Sequence, residues 1–222
     1  MKTAELWEFD RAFGPSVAGM DEAGRGPLAG PVCAAAVVLA PGQVIEGVND
    51  SKKLSEKKRE ALFGKIINEC VDYTIAFASE KEIDEMNILQ ATFLAMQRAV
   101  GGLKSSPEIA LVDGNRAPDL GGIKVETIVK GDANSASIAA ASILAKISRD
   151  RLMLDFAEKY PERIARICLY AVFLARREDM EWMLRDSGLF YPDLLEEIRR
   201  QSEGENPYTH YAKLLFSEDL GS

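Results

Sequence analysis

The stretch MDEAGRGPLAGPV, residues 20–32, places two carboxylates directly before a turn rich in glycine. An apolar run at residues 17–20 leads into the pair Asp21 and Glu22, and a second apolar run, PVCAAAVVL, follows at residues 31–39. Runs of this composition bounded by glycine are typical of strands. The stretch therefore predicts two consecutive strands joined by a glycine bend, with the acidic pair at the end of the first.

Two further predicted strands also end in an aspartate beside a glycine. The run EIALV at residues 108–112 leads to Asp113, and a strand over residues 123–129 leads to Lys130-Gly131-Asp132. Ligands of α/β sheets bind at the carboxyl ends of strands. The carboxylates that share this position, and that we expect to form one site, are Asp21, Glu22, Asp113 and Asp132.

Carboxylates that converge repel one another unless cations hold them. A cluster of oxygen ligands suits Mg²⁺ or Mn²⁺, and two such ions can activate a water and stabilise the leaving oxygen in phosphoryl transfer. Each acid taken singly is also explained as an ordinary solvated turn residue. The four together at strand ends leave both interpretations open.

The turn Gly24-Arg25-Gly26 lacks the GK[ST] sequence of a Walker loop and is a weak motif by itself. It is compatible with a plain tight turn. Glycine also lets main chain approach a sugar or phosphate closely, and Arg25 is then placed to meet an anion. Lys52, in the polar loop that follows, either contacts a phosphate or is solvated.

The remaining patterns predict an α/β body. Ser55 is a helix cap, Ser79 and Glu82 form a capping box, and a strand lies between them. Helical periodicity occupies residues 88–100 and residues 135–160, and only helical signals follow Pro161. We expect one domain over residues 1–160 and a helical C-terminal region of uncertain role over residues 161–222.

Composition narrows the function classes. The chain has 222 residues, a net charge of −8, one histidine and three cysteines, so histidine-based metal sites and a disulfide framework are disfavoured. The longest apolar runs are far shorter than the ~20 residues of a membrane span, and we expect a cytoplasmic monomer with no membrane partner. An acidic chain can still bind a polyanion when bound cations contribute to its charge.

Five stretches together resemble ribonuclease HII. They occur in order over residues 17–151 and read AGMDEAGRGPLAGPV, NDSKKLSEKKRE, EIDEMNILQATFLAMQRAV, LVDGN and KGDANSASIAAASILAKISRDR. The resemblance implies a ribonuclease H-like mixed sheet flanked by helices. It also implies cleavage of RNA in RNA–DNA hybrids and at single ribonucleotides in duplex DNA, leaving 3′-hydroxyl and 5′-phosphate ends.

The resemblance also assigns roles, residue by residue. The catalytic carboxylates that would bind Mg²⁺ or Mn²⁺ are Asp21, Glu22, Asp113 and Asp132. The residues that would read the ribose 2′-hydroxyl, largely through main chain, are Gly24, Arg25 and Gly26. The residues that would lie near substrate phosphates are Asn49, Ser51 and Lys52. Asp150 also matches the family pattern, but its place in mid-helix favours a structural ion pair.

The family pattern stops near residue 161. A segment of the form HKGYxTxxH and a basic stretch ending near HRRSF are expected there, and this chain has neither; Tyr208-Thr209-His210 has compressed spacing. In the family the missing tyrosine packs at the ribonucleotide–deoxyribonucleotide junction. The tail also carries 8 basic and 12 acidic residues, the wrong balance for holding DNA.

Three function hypotheses follow. The first is a divalent-metal-dependent endoribonuclease with the substrates that the family implies. The second, motivated by the altered tail, is a catalytically impaired ribonuclease HII-like domain that binds nucleic acid or protein. The third is another enzyme of the same fold class, such as a DNA nuclease or a nucleotidyl transferase. The four retained acids favour the first, because a pure binding surface gives no reason to keep them where phosphates approach.

Overall fold

The computed structural model describes residues 3–27, 29–48 and 55–160. Its elements in chain order are α1 (Thr3–Arg11), β1 (Val17–Ala23), β2 (Val32–Val38), α2 (Glu56–Glu69), β3 (Asp72–Ala78), α3 (Glu80–Met86), α4 (Ile88–Gly101), β4 (Ile109–Asp113), β5 (Lys124–Ile128), α5 (Gly131–Asn134) and α6 (Ala136–Lys159).

The five strands form one mixed sheet in the order β3-β2-β1-β4-β5. β1 pairs antiparallel with β2, and β2 pairs antiparallel with β3. β1 pairs parallel with β4, and β4 pairs parallel with β5. The expected ribonuclease H-like arrangement, a mixed sheet flanked by helices, is therefore confirmed, and β1 lies at its centre.

Both faces of β2 are buried, which explains its unbroken apolar sequence. Cys33, Ala35 and Val37 belong to a hydrophobic cluster with residues of α2 and α6. Ala34 and Ala36 belong to a second cluster with residues of α4 on the other face. Because the three alanines are small, helices can pack close to the sheet on both of its sides.

The local signals in the sequence are confirmed where they concern helix starts. Ser55 caps α2 by accepting the N–H of Lys58, and Ser79 with Glu82 forms the capping box of α3. α1 was not predicted. The predicted helix over residues 135–160 is α6, and it is preceded by the four-residue helix α5, which the sequence pattern did not predict.

The domain boundary expected at residue 160 coincides with the end of the described residues and stays a prediction. One compact unit spans Met1–Met153, and it contains the five strands of the described residues and α1 to α5. The tail, with Tyr208-Thr209-His210, lies outside the described residues. None of the helices in the described part of the chain combines the length and apolar character that a membrane span requires.

Because α6 packs closely on β1, one methyl group added to β1 should strongly reduce the stability of the fold. A Cβ added to Gly19 would lie 2.1 Å from the carbonyl carbon of Ser137 and 2.2 Å from the backbone nitrogen of Ile138. Backbone cannot swing aside as a flexible side chain can, so the helix must move. We expect Gly19→Ala to lower the free energy of unfolding by about 3 kcal/mol or more, the upper end of overpacking costs, in urea denaturation.

Gly64→Ala is the matched control. Gly64 lies inside α2, and a Cβ there would meet nothing within 4 Å. Replacing a glycine inside a helix by alanine stabilises by about 0.5–1 kcal/mol. Equal stability changes in the two variants would contradict the close packing of α6 on β1.

Candidate functional site

A cavity of about 350 Å³ lies among four parts of the chain. They are the end of β1, the loop that follows it, the end of β4 and the middle of α6. Its lining combines acidic and basic side chains. The acidic ones are Asp21, Glu22 and Asp113, and the basic ones are Arg59, Lys146 and Arg149. Three of the four carboxylates singled out in the sequence therefore face one cavity.

The parallel pairing of β1 with β4 brings Asp21 and Asp113 together. Met20 lies opposite Val112 in this register, and both belong to the cluster on the α4 face. Successive side chains of a strand point to opposite faces. The next residue in each strand, Asp21 and Asp113, therefore projects toward the α6 face at the same level of the sheet.

Burial has the largest effect on the pKa of Asp21, a residue that is 6% exposed. It raises the pKa of Asp21 well above its ordinary value, and the charges of Glu22 and Asp113 raise that pKa further. Two hydrogen bonds oppose the shift. The Ser142 side chain bonds to the Asp21 carboxylate, and the Glu22 N–H donates to Oδ1 of Asp21 at 2.7 Å.

The pKa of Glu22 is raised for a similar reason, but Glu22 also has a cationic partner. Burial raises its pKa, and the Asp113 charge adds to the increase. Nη1 of Arg25 lies 3.1 Å from Oε1 of Glu22 and lowers the pKa of Glu22 through a hydrogen bond and charge. The Arg25 side chain is itself about half exposed, at 49%. It therefore pairs with Glu22 while part of its guanidinium stays in contact with solvent.

Asp132 occupies a different position from the other three carboxylates. It lies in α5, is 4% exposed, and is not among the residues that line the cavity. Its neighbour Gly131 donates its N–H to Oδ1 of Asp113 at 2.6 Å. Lys130, just before α5, adopts a left-handed conformation with φ 57° that is uncommon for a residue with a side chain. This turn brings the main chain of α5, rather than a strand end, to Asp113.

The chemistry of the donor set fits a hard divalent cation. The carboxylates supply oxygen ligands only. A nearby cation stabilises a carboxylate that, like Asp21, is buried beside other negative charges. Within residues 3–27, 29–48 and 55–160, no three Asp, Glu, His or Cys side chains stand close enough together to hold a metal ion. Asp21, Glu22 and Asp113 thus share a cavity without forming a completed metal site.

The turn after β1 contains two glycines, Gly24 and Gly26, whose surroundings differ. Gly24 has φ +112°, a conformation that residues with a Cβ rarely adopt, and its Cα faces Arg149 closely. A Cβ on Gly26 would meet nothing within 4 Å, so the protein itself leaves room for a side chain there. The open surface at Gly26 is compatible with close approach of another molecule to the main chain.

One face of α6 supplies side chains that the sequence analysis did not assign to the site. Ser142, Lys146 and Arg149 follow a spacing of four and three residues, which puts them on one side of a helix, and all three line the cavity. That spacing is the signal that could have found them. Asp150 forms an ion pair with Lys146 at 2.6 Å, which confirms the structural role expected for it.

Three sequence-predicted residues cannot be placed. Asn49, Ser51 and Lys52 lie outside the described residues, so their predicted proximity to substrate phosphates stays a prediction.

Removing the charge at Asp21 should stabilise the protein when divalent cations are absent. The Asp21 carboxylate is buried beside two like charges, and Asn keeps an oxygen that can accept the Glu22 N–H. We expect Asp21→Asn to raise the melting temperature at pH 7 in chelator by at least about 2 °C, the shift that 1 kcal/mol gives in a chain of this size.

Asp150→Asn serves as the control, because Asp150 is paired with Lys146 and is not among the cavity-lining residues. Its melting temperature should not rise. A lower melting temperature for Asp21→Asn than for the wild type would contradict an unfavourable charge at this position.

Comparison with known proteins identifies the family of this chain. The sequence model of the family described as Ribonuclease HII matches residues 18–169. Ribonuclease HII of Endomicrobium trichonymphae is 56% identical over 162 residues, which cover 71% of this chain and 77% of that protein. Ribonuclease HII 1 of Methylibium petroleiphilum is 60% identical over 144 residues, covering 65% of this chain and 72% of that protein.

A solved structure shows the same fold. The crystal structure of the ribonuclease H2 from Pyrococcus horikoshii OT3 superposes with a TM-score of 0.56 at 32% identity, over 67% of this chain and 78% of that one. Asp21, Glu22, Asp113 and Asp132 all lie within the residues that the family model matches, and residues 170–222 lie outside them.

Proposed function

This chain belongs to the ribonuclease HII family, and on that premise we propose that it hydrolyses the RNA strand of RNA–DNA hybrids and cuts at single ribonucleotides embedded in duplex DNA. The family makes the chain a ribonuclease H enzyme, a metal-binding endonuclease. Cleavage breaks the bond between phosphorus and the 3′ oxygen and leaves 3′-hydroxyl and 5′-phosphate ends. The enzyme acts as a cytoplasmic monomer.

The observation that carries this function is the juxtaposition of three acids and a bare turn. Asp21, Glu22 and Asp113 share the cavity with Gly24. Two-metal phosphodiester hydrolysis uses acidic side chains that hold the cations at the reacting phosphate, and the 2′-hydroxyl is the group that distinguishes RNA from DNA. The three acids and Gly24 of the turn line the same cavity, which supports both roles.

The residues have separate roles in this proposal. Those that would hold Mg²⁺ or Mn²⁺ are Asp21, Glu22, Asp113 and Asp132. When bound, these cations activate the attacking water and stabilise the leaving oxygen. The main chain of Gly24, Arg25 and Gly26 contacts the ribose 2′-hydroxyl. Asn49, Ser51 and Lys52 contact backbone phosphates, and residues 1–160 form the catalytic domain.

Basic side chains at the cavity support a polyanionic substrate despite the acidic chain. Lys146 is partly exposed, and its bond to Asp150 at 2.6 Å fixes its position. Arg25 is about half exposed and lies 3.1 Å from the Glu22 carboxylate. Phosphate contacts from Lys and Arg position a nucleic acid without reading its sequence.

Cleavage of three labelled duplexes tests the function. A DNA duplex with one ribonucleotide, an RNA–DNA hybrid and an all-DNA duplex are each incubated with Mg²⁺, Mn²⁺ or chelator. Metal-dependent cutting of the first two substrates supports the assignment. Equal cutting of the all-DNA duplex would indicate a DNA nuclease, and no cutting by folded protein would indicate an impaired binding domain.

Asp113→Asn should abolish cutting and leave the fold intact. Asp113 lies at the end of β4 beside Asp21 and is one of the proposed metal ligands. We expect the rate to fall by more than the ~10–100-fold that follows loss of a residue supporting a metal ligand. The rate is measured on the ribonucleotide-containing duplex, with circular dichroism as the check of folding.

Asp84→Asn is the control on the same substrate, because Asp84 is an exposed residue of α3 and is not among the cavity-lining residues. Its rate should remain within a few fold of the wild type. Full activity of Asp113→Asn would sink the assignment of this site.

A further inference from the structure

The loop between β1 and β2, residues 24–31, is hydrogen-bonded to a buried arginine side chain of α6. Arg149 is 6% exposed. Its Nε donates to the carbonyl oxygen of Pro31 at 3.0 Å, and its Nη2 donates to the carbonyl oxygen of Ala29 at 2.8 Å. Both bonds fall on the last part of the loop, just before β2. The planar guanidinium therefore fixes two carbonyls at once.

The same guanidinium also fits against the first residue of the loop. A Cβ on Gly24 would lie 2.6 Å from Nε of Arg149 and 2.7 Å from the carbonyl oxygen of Pro31. A Cβ on Gly30 would lie 2.4 Å from Sδ of Met153, one helical turn further along α6. Contact at Gly24 and hydrogen bonds at Pro31 hold both ends of the loop to α6.

We infer that Arg149 is a positioning residue that sets the main-chain geometry of the Gly24-Arg25-Gly26 turn, and through it the discrimination between ribonucleotide and deoxyribonucleotide. This rests on the proposed function, in which that turn contacts the 2′-hydroxyl. Arg149 does not touch the substrate. It acts by holding the carbonyls that define where the turn can lie.

Two other roles for Arg149 fit the contacts less well. As a partner for the acids it would bond to Glu22, but the cation bonded to Glu22 is Arg25, at 3.1 Å, and the hydrogen bonds of Arg149 go to carbonyl oxygens. As a phosphate ligand it would be expected near the surface, but Arg149 is 6% exposed, and two of its three nitrogens already donate to carbonyl oxygens of the loop.

Arg149→Lys is the informative substitution. Lysine keeps the charge, but its compact ammonium cannot reproduce the guanidinium fork. Arg149→Gln, measured in parallel, keeps a planar donor group and removes the charge. Arg151→Lys is the matched control on the same helix, since Arg151 bonds to Glu60 at 2.6 Å and stacks over Phe63, away from the loop. Circular dichroism and amide exchange of residues 24–31 check the fold and the loop of each variant.

The first readout is binding without cleavage. Dissociation constants for the single-ribonucleotide duplex and the all-DNA duplex are measured by fluorescence anisotropy in chelator at one salt concentration, because affinity for DNA depends strongly on salt. The wild type should prefer the ribonucleotide duplex. We expect the preference to fall about tenfold in Arg149→Lys, equivalent to about 1.4 kcal/mol, and to remain in Arg151→Lys.

The second readout separates binding from chemistry. KM for the ribonucleotide duplex should rise about tenfold in Arg149→Lys while kcat stays within about threefold, the pattern of a lost binding contribution. Faster amide exchange confined to the loop should accompany it. An unchanged preference and KM in both Arg149 variants would overturn the inference. A wild type that neither prefers nor cuts the ribonucleotide duplex would instead overturn the proposed function. In that case the rate of amide exchange in the loop still tests the positioning role, and an unchanged rate in the Arg149 variants would overturn it.

Discussion

Asp21 is a carboxylate held away from water beside two groups of like charge, and the surroundings of the cavity are arranged to hold it there. Burial alone raises its pKa, and Glu22 and Asp113 raise it further. A group in that position is unfavourable for folding and useful for chemistry, because a cation that enters the cavity relieves the repulsion. In the proposed function, this cost to folding stability is the counterpart of affinity for a hard ion.

Close packing between one helix and one strand keeps this arrangement in place. At Gly19 the strand has no room for a methyl group beneath Ser137 and Ile138. Further along, Ser142 contacts Asp21, and Arg149 contacts the loop that begins at Gly24. The helix α6 and the strand β1 therefore run side by side from the core to the cavity mouth. A shift of α6 would move the acids and the turn together.

Local signals made much of this fold predictable. Capping residues, strand composition and the glycine breaks depend on neighbours a few residues apart, so Ser55, Ser79 and the β1–β2 pair could be recognised from the sequence. Asp21, Glu22 and Asp113 were found because acids at strand ends are conspicuous. The roles given to the glycines came from family resemblance, since a three-residue turn carries little information by itself.

What could not be predicted depends on contacts between distant parts of the chain. Arg149 bonds to carbonyls of residues 29 and 31, 120 and 118 positions away, and no pattern in its own helix announces those acceptors. Asp132 follows a left-handed residue, Lys130, so it lies in α5 rather than at a strand end as the sequence suggested. Conformational choices of this kind are decided by tertiary packing, which local propensity does not encode.

A structure with Mn²⁺ bound tests most directly whether the buried acids are there for a cation. Crystals of the full chain soaked in Mn²⁺ would be measured by anomalous diffraction. The account predicts an ion in the cavity with carboxylate oxygens of both Asp21 and Asp113 among its ligands. An ion bound only elsewhere on the protein, or a cavity that stays empty at saturating Mn²⁺, would contradict it.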